Sequence, residues 1–283
     1  MALALALCSA FLFGAMTIAL RFALRRSPDA EVGAVVTTAA GLVVALGFLA
    51  FDRPHRLHLG ALALFGLAGL LAPGGSQLLF TLAVRDAGPS RTSVTVGTAP
   101  LLAVVLAILL LGEPLRLPLV LGTLAVVGGG IVLMLERVRP AHFRAIGVLF
   151  ALAGAWLIAA RDTFVRWAAH GTSVPAIAGA CTALGAGVLL MLAWLVLSRR
   201  RLPSVRGTGI FIPGGVLFGL SYVSLFEAYY RGRISIVSPL VATEALWAVG
   251  LSALLIRSDL VGRRLVAGAA LVVTGSVLIG VFR

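Results

Sequence analysis

Lysine is absent from this chain, and all 23 of its basic residues are arginine. Acids are scarce as well, numbering 10, and charged residues of both signs make up 12% of the total. That is about half the share a soluble domain carries, too little to clothe 283 residues in water. Two cysteines, Cys8 and Cys181, lie in separate apolar runs with no CxxC or CxxH spacing, so neither a redox pair nor a metal site is expected. The four histidines, His55, His58, His142 and His170, are scattered over both predicted membrane faces. No cofactor is therefore anticipated. Nor is any polar segment long enough to form a basic face, so the net charge of +13 reads as lipid-facing and not as a nucleic-acid surface.

What is abundant is apolar. Hydrophobic residues reach 60% and the mean hydropathy is +1.10. They come in blocks of about 20, the length at which an α-helix crosses a ~30 Å hydrocarbon core. The alternation over about ten residues that marks a membrane β-barrel does not occur. The first block, MALALALCSAFLFGAMTIAL, lacks a basic start and reads as a span, not as a cleaved leader.

Set against the Arg, Pro and Gly punctuation, the blocks predict an all-α integral membrane protein with ten transmembrane helices. They fall at about 2–24, 31–51, 60–84, 91–112, 115–136, 145–168, 173–197, 208–230, 234–256 and 261–282. The links are short, which makes sequential helices antiparallel neighbours. The two halves, 1–139 and 140–283, also repeat. DAGPSRTSVTVGTAPLLAVV (86–105) lies over YRGRISIVSPLVATEALWAV (230–249), with Gly88 on Gly232. LGTLAVVGGGIVL (121–133) lies over AGAALVVTGSVLI (267–279), with Gly122 on Gly268 and Gly129 on Gly275. A five-helix unit enters the membrane from the opposite side at its second copy, so the repeats are expected to be inverted, an arrangement typical of secondary transporters.

From Ala99 the first repeat reads APLLAVVLAILLLGEPLRLPLVLGTLAVVGGGIVL, with Gly112 and Glu113 standing 12 and 13 residues after Pro100 and a glycine-rich span following. This resembles the EamA-type repeat of the drug/metabolite transporter superfamily. In layout the resemblance covers nearly the whole chain, although the second half departs from the motif and carries Ile256, Arg257 and Asp259 where Gly-Glu would stand. It implies two inverted five-helix repeats around a central cavity lined by the first four helices of each. The fifth and tenth helices would be supports, packed on each other or on a partner subunit, which leaves room for a homodimer. The family arrangement puts both termini in the cytoplasm, whereas the loop arginines, 7 on the terminal side against 15 opposite, place them outside by the positive-inside rule. Glu113, just before Pro114, is positioned to cap the fifth span's free amides.

Seven acids, Asp29, Glu31, Asp52, Asp86, Glu113, Glu136 and Asp259, fall in or beside predicted loops. Asp162, Glu227 and Glu244 do not. A charge at mid-helix costs on the order of 3 kcal/mol, so such residues usually face a cavity or a partner. Glu244, in PLVATEALW, is the deepest and falls on Pro100 in the repeat alignment. It is a candidate for binding an amine and for carrying a coupled proton. Trp247, one turn on, could offer a cation-π wall. Arg161, Asp162, Glu227 and Tyr229 are predicted to gather toward one face, with local i,i+4 pairs to Arg166 and Arg231 as the plainer readings of the two acids. Gln77, after the Pro-Gly-Gly of LAPGGSQLL, is a candidate hydrogen-bonder in the cavity, and FIPGGVLFGL carries a second such breaker.

The sequence thus points to an inner-membrane secondary transporter of a small amino-acid-like or amine-bearing metabolite, working in export. The alternatives are uptake, an integral-membrane enzyme on lipid-linked substrates, or an assembly subunit.

Overall fold

The computed structural model describes residues 1–52, 59–99, 102, 106, 117–134, 143–169, 174–198, 205–231, 237, 240–256 and 262–281. Among these residues every regular element is helical. Apolar side chains can meet lipid, but peptide groups cannot, and a helix pairs them within the segment. The first half contains α1 (Ala2–Arg26), α2 (Ala30–Asp52), α3 (Leu59–Gly69), α4 (Ser76–Ala87), α5 (Pro89–Val96) and α6 (Leu117–Met134). The second contains α7 (Ile146–Ala169), α8 (Ala176–Leu197), α9 (Ile212–Arg231), α10 (Glu244–Leu255) and α11 (Arg263–Val281). Among the described residues six stretches are long and apolar enough to cross a membrane: Ala2–Arg26, Ala30–Phe51, Gly60–Ala87, Ile146–Val165, Ala176–Leu197 and Gly209–Arg231.

Local chemistry sets the boundaries. The Ser27 amide closes α1 on the Ala23 carbonyl, and Asp29 Oδ1 accepts the Val32 amide as α2 begins. Gly88, at φ 88°, makes the turn between α4 and α5 in a backbone region closed to most side chains, and Pro89 then opens α5. The two Pro-Gly-Gly motifs behave differently. In Pro213 to Gly215 the proline lies in the first turn of α9, where its missing N–H costs nothing. Pro73 to Gly75 lies mid-span, and there the helix breaks: Ala72 is extended, at φ −145° and ψ 119°, between α3 and α4.

Much of the core lies between the halves. α1 and α2 pack on α9, and α3 and α4 pack on α7 and α8. α1 also meets α10, α7 meets α5, and α6 packs along α11. The central cluster carries Met16, Leu20, Phe65, Phe80, Leu184, Phe218, Tyr222 and Phe226. Helices in lipid gain little from hydrophobic exclusion, so they pack where small residues let backbones approach. The α6–α11 contact does this reciprocally. A Cβ on Gly129 would lie 2.7 Å from the Gly268 carbonyl oxygen, and one on Gly275 would lie 2.5 Å from the Gly122 carbonyl oxygen. The Glu113 cap, Pro100 and the 257–261 loop lie outside the described residues.

Gly129→Ala or Gly275→Ala should each cost about 1–3 kcal/mol through overpacking. The check is a lowered thermal midpoint in detergent, with Gly128→Ala, where nothing lies within 4 Å of an added carbon, unchanged.

Candidate functional site

Three helices bring polar groups together inside the bundle. Arg161 and Asp162, adjacent on α7, form an ion pair with Arg161 Nε and Asp162 Oδ1 2.8 Å apart. The N–H does not point along that line, so neither atom makes an aligned hydrogen bond. The Arg161 guanidinium instead donates from Nη1 to the Tyr222 hydroxyl of α9 at 2.9 Å, and its carbon lies 5.5 Å from the centre of that ring. Tyr222 in turn donates to the carbonyl of Ala72 at 3.0 Å, at the break in the third span. Tyr229, two turns further along α9, lies within electrostatic reach of Arg161, Asp162, Tyr222 and Glu244.

Glu244 completes the group. It is buried, and its carboxyl is close enough to Asp162 for the two to feel each other's charge. The sequence suggested mid-helix, but the structure starts a helix here. Ala242 and Thr243 form a turn, and Glu244 is the first residue of α10. A helix N-terminus carries partial positive charge, which lowers the cost of placing a carboxylate there. Thr243 makes the turn by directing both its amide (3.1 Å) and its Oγ1 (2.6 Å) to the Leu240 carbonyl. Thr98 does the same to Thr95 after α5, at 3.1 Å and 2.7 Å. Matching these two turns puts Glu244 on Ala99, one residue from the Pro100 alignment read from sequence.

The other sequence candidates lie elsewhere. Glu227 accepts from Arg231 at 2.7 Å, the local i,i+4 pair, at the exposed end of α9. It is about 200° around the helix from Tyr229, so the two cannot face one site. Trp247 is 42% exposed and meets Phe11 edge-on, at 5.3 Å, on the outward stripe of α1 that also carries Leu3 and Leu7. Gly14 of α1 lets α10 approach closely here, since a Cβ on it would lie 2.9 Å from the Trp247 Cβ. Gln77 is buried in the first turn of α4, with Nε2 3.9 Å from the Met16 sulfur. Asp162 pairs with its neighbour Arg161; nothing is described of the Arg166 side chain.

Two residues escaped the sequence reading. Tyr222 lies seven residues before Tyr229, on the same face of α9, and that spacing was the available signal. Asp86, assigned to a watery loop, is 3% exposed. It holds Arg85 with two contacts, at 2.9 and 3.0 Å, and lies 3.7 Å from Arg144 of the second half. Arg144 also donates its amide to the Asp86 carbonyl at 2.7 Å, so the end of α4 is docked on the entry to α7.

The model of the EamA-like transporter family matches residues 1–135 and again residues 145–281. The chain belongs to the EamA-like transporter family. That family is part of the drug/metabolite transporter superfamily and suggests a membrane transporter of small solutes. The transporter is accordingly a multi-pass membrane protein. A solved crystal structure shares its fold, at a TM-score of 0.67 and 21% identity, covering 98% of the transporter and 95% of that chain. No curated protein matches it.

Asp86→Ala should destabilise the transporter by about 1.5–3 kcal/mol, the range for hydrogen bonds to a charged group. Glu227→Gln, at an exposed pair, should stay within ~0.5 kcal/mol. Thermal unfolding of the two variants side by side checks the contrast.

Proposed function

We propose that this protein is an inner-membrane secondary transporter that exports a small amine-bearing or amino-acid-like metabolite. Its binding site is the space bordered by Asp162, Arg161, Tyr222, Tyr229 and Glu244. The observation that carries this reading is the charge balance there: Asp162 is paired with Arg161, and Glu244 adds a second acid within reach of the Asp162 charge. With both acids ionised the group carries one excess negative charge, which a low-dielectric interior tolerates poorly. One cation or one proton neutralises it. A protonated amine would sit between the carboxylates with the tyrosine hydroxyls as further partners, and a proton on Glu244 would take its place on the return.

Ten spans in two inverted five-helix repeats are the architecture in which this works. The reading is supported by the family match falling once in each half, and by the helix pairings, which persist when halves are exchanged: α1 with α9 answers to α7 with α4, and α2 with α9 to α8 with α3. The reciprocal glycines of α6 and α11 and the twin turns at Thr98 and Thr243 follow the same exchange. Rocking one half against the other would then expose a midplane site to each side in turn.

The test is flux of an amine and amino-acid panel in proteoliposomes, with and without an imposed pH gradient. Glu244→Gln should lower flux at least about tenfold, the loss of a charge-assisted contact of ~1.5 kcal/mol or more, and should abolish its dependence on the gradient. Flux and proton dependence both equal to wild type would sink the assignment. Sidedness of the reconstituted protein reads out direction, with uptake as the competing result.

A further inference from the structure

One polar chain crosses from the charged group to the broken third span. An unbroken helix would bond the Ser76 amide to the Ala72 carbonyl, but here that amide is directed to Leu71 and Pro73. The Ala72 carbonyl receives the Tyr222 hydroxyl instead, at 3.0 Å, and the same hydroxyl accepts from Arg161 at 2.9 Å. Arg161 is in turn held against Asp162 at 2.8 Å. Apolar side chains also pack closely around the break. A Cβ on Gly187 of α8 would lie 2.8 Å from Pro73 Cγ, and one on Gly75 would lie 2.8 Å from Leu157 Cδ1 of α7. The Tyr222 ring is fixed between Phe218 and Phe226, with centroids at 5.5 and 5.0 Å. The Ala72 carbonyl is thus a polar handle on an apolar joint.

We propose that Arg161 and Tyr222 are positioning residues that tie the Asp162 carboxylate to the helix break at Ala72, so that the state of the charged site sets how firmly the third span is held. Arg161 has two calls on it, the Asp162 charge on one side and the Tyr222 hydroxyl on the other. A cation at Asp162 competes with the first, lets the guanidinium shift and slackens the second. This consequence rests on the transport reading above, whereas the link itself does not.

The link is tested without any solute, by hydrogen-deuterium exchange of the 69–77 segment in nanodiscs. Tyr222→Phe keeps the ring and removes only the bridging hydroxyl. It should raise exchange in that segment roughly threefold to tenfold, what one net hydrogen bond is worth. Asp162→Asn, which touches no atom of the segment, should raise it about twofold or more, and Asp162→Glu should restore it. Ser221→Ala, which removes a neighbouring hydroxyl pair with Ser9 at 3.0 Å between α1 and α9, should leave the segment unchanged. If Asp162→Asn does not assemble, Arg161→Lys reads the same link, since it keeps the charge but loses the fork: a rise confined to 69–77 supports the proposal and none overturns it. A segment unmoved in Tyr222→Phe, or moved there but not in Asp162→Asn, would reduce the bond to scaffold and end the proposal. Because no solute is present, that failure would leave the transport reading standing, and a failure of transport would leave the link standing.

Discussion

A peptide carbonyl or amide left unpaired in hydrocarbon costs several kcal/mol, and the rest of this structure is arranged around that cost. At several of the described helix ends and breaks, another element supplies a partner. The Ala72 carbonyl takes the Tyr222 hydroxyl, and the Gly97 carbonyl takes the Ser276 hydroxyl at 3.3 Å. Arg21 of α1 reaches the carbonyls of Val84 and Arg85 at the end of α4, at 3.4 and 3.2 Å, the end of a helix where a cation is favoured. Tyr222, Ser276 and Arg21 thus concentrate polar contacts where helices end or break.

That concentration explains where the site forms. A break frees backbone groups, which draw in polar partners, and polar partners draw in charge. Tyr222 answers Ala72, Arg161 answers Tyr222, and Asp162 answers Arg161. Glu244 reaches the same region from a second break, the turn at Thr243. The five side chains themselves all stand on the second half, and the first half meets them at the Ala72 carbonyl, in a bundle where glycines such as Gly41 and Gly219 bring α2 and α9 into backbone contact. A site that one half builds and the other touches is one that relative motion of the halves would alter.

Several features were legible in the primary structure for plain physical reasons. The apolar blocks matched the bilayer, and the acids at 162 and 244 stood out because charge is so costly there. The break at Pro73 could be anticipated, but not the absence of one at Pro213, because position within the helix decides what proline does. Glu227 and Trp247 shared the sequence neighbourhood of the site without sharing its face: one is turned about 200° from Tyr229, and the other lies half exposed against Phe11. Asp86 looked watery because it adjoins a turn, whereas Gly147, 61 residues away along the chain, packs close against it.

The sequence by itself determined that this chain lives in a membrane and that a few acids need an account, because hydrophobic length and the cost of buried charge act residue by residue. Only the tertiary structure decided which of those acids meet. Partners such as Tyr222 for Ala72 are 150 positions apart, and their pairing depends on how α7, α9 and the broken third span are packed together. Distance along the chain carries no record of that packing, and the direction of a side chain around its helix is fixed only when a neighbouring helix presses against it.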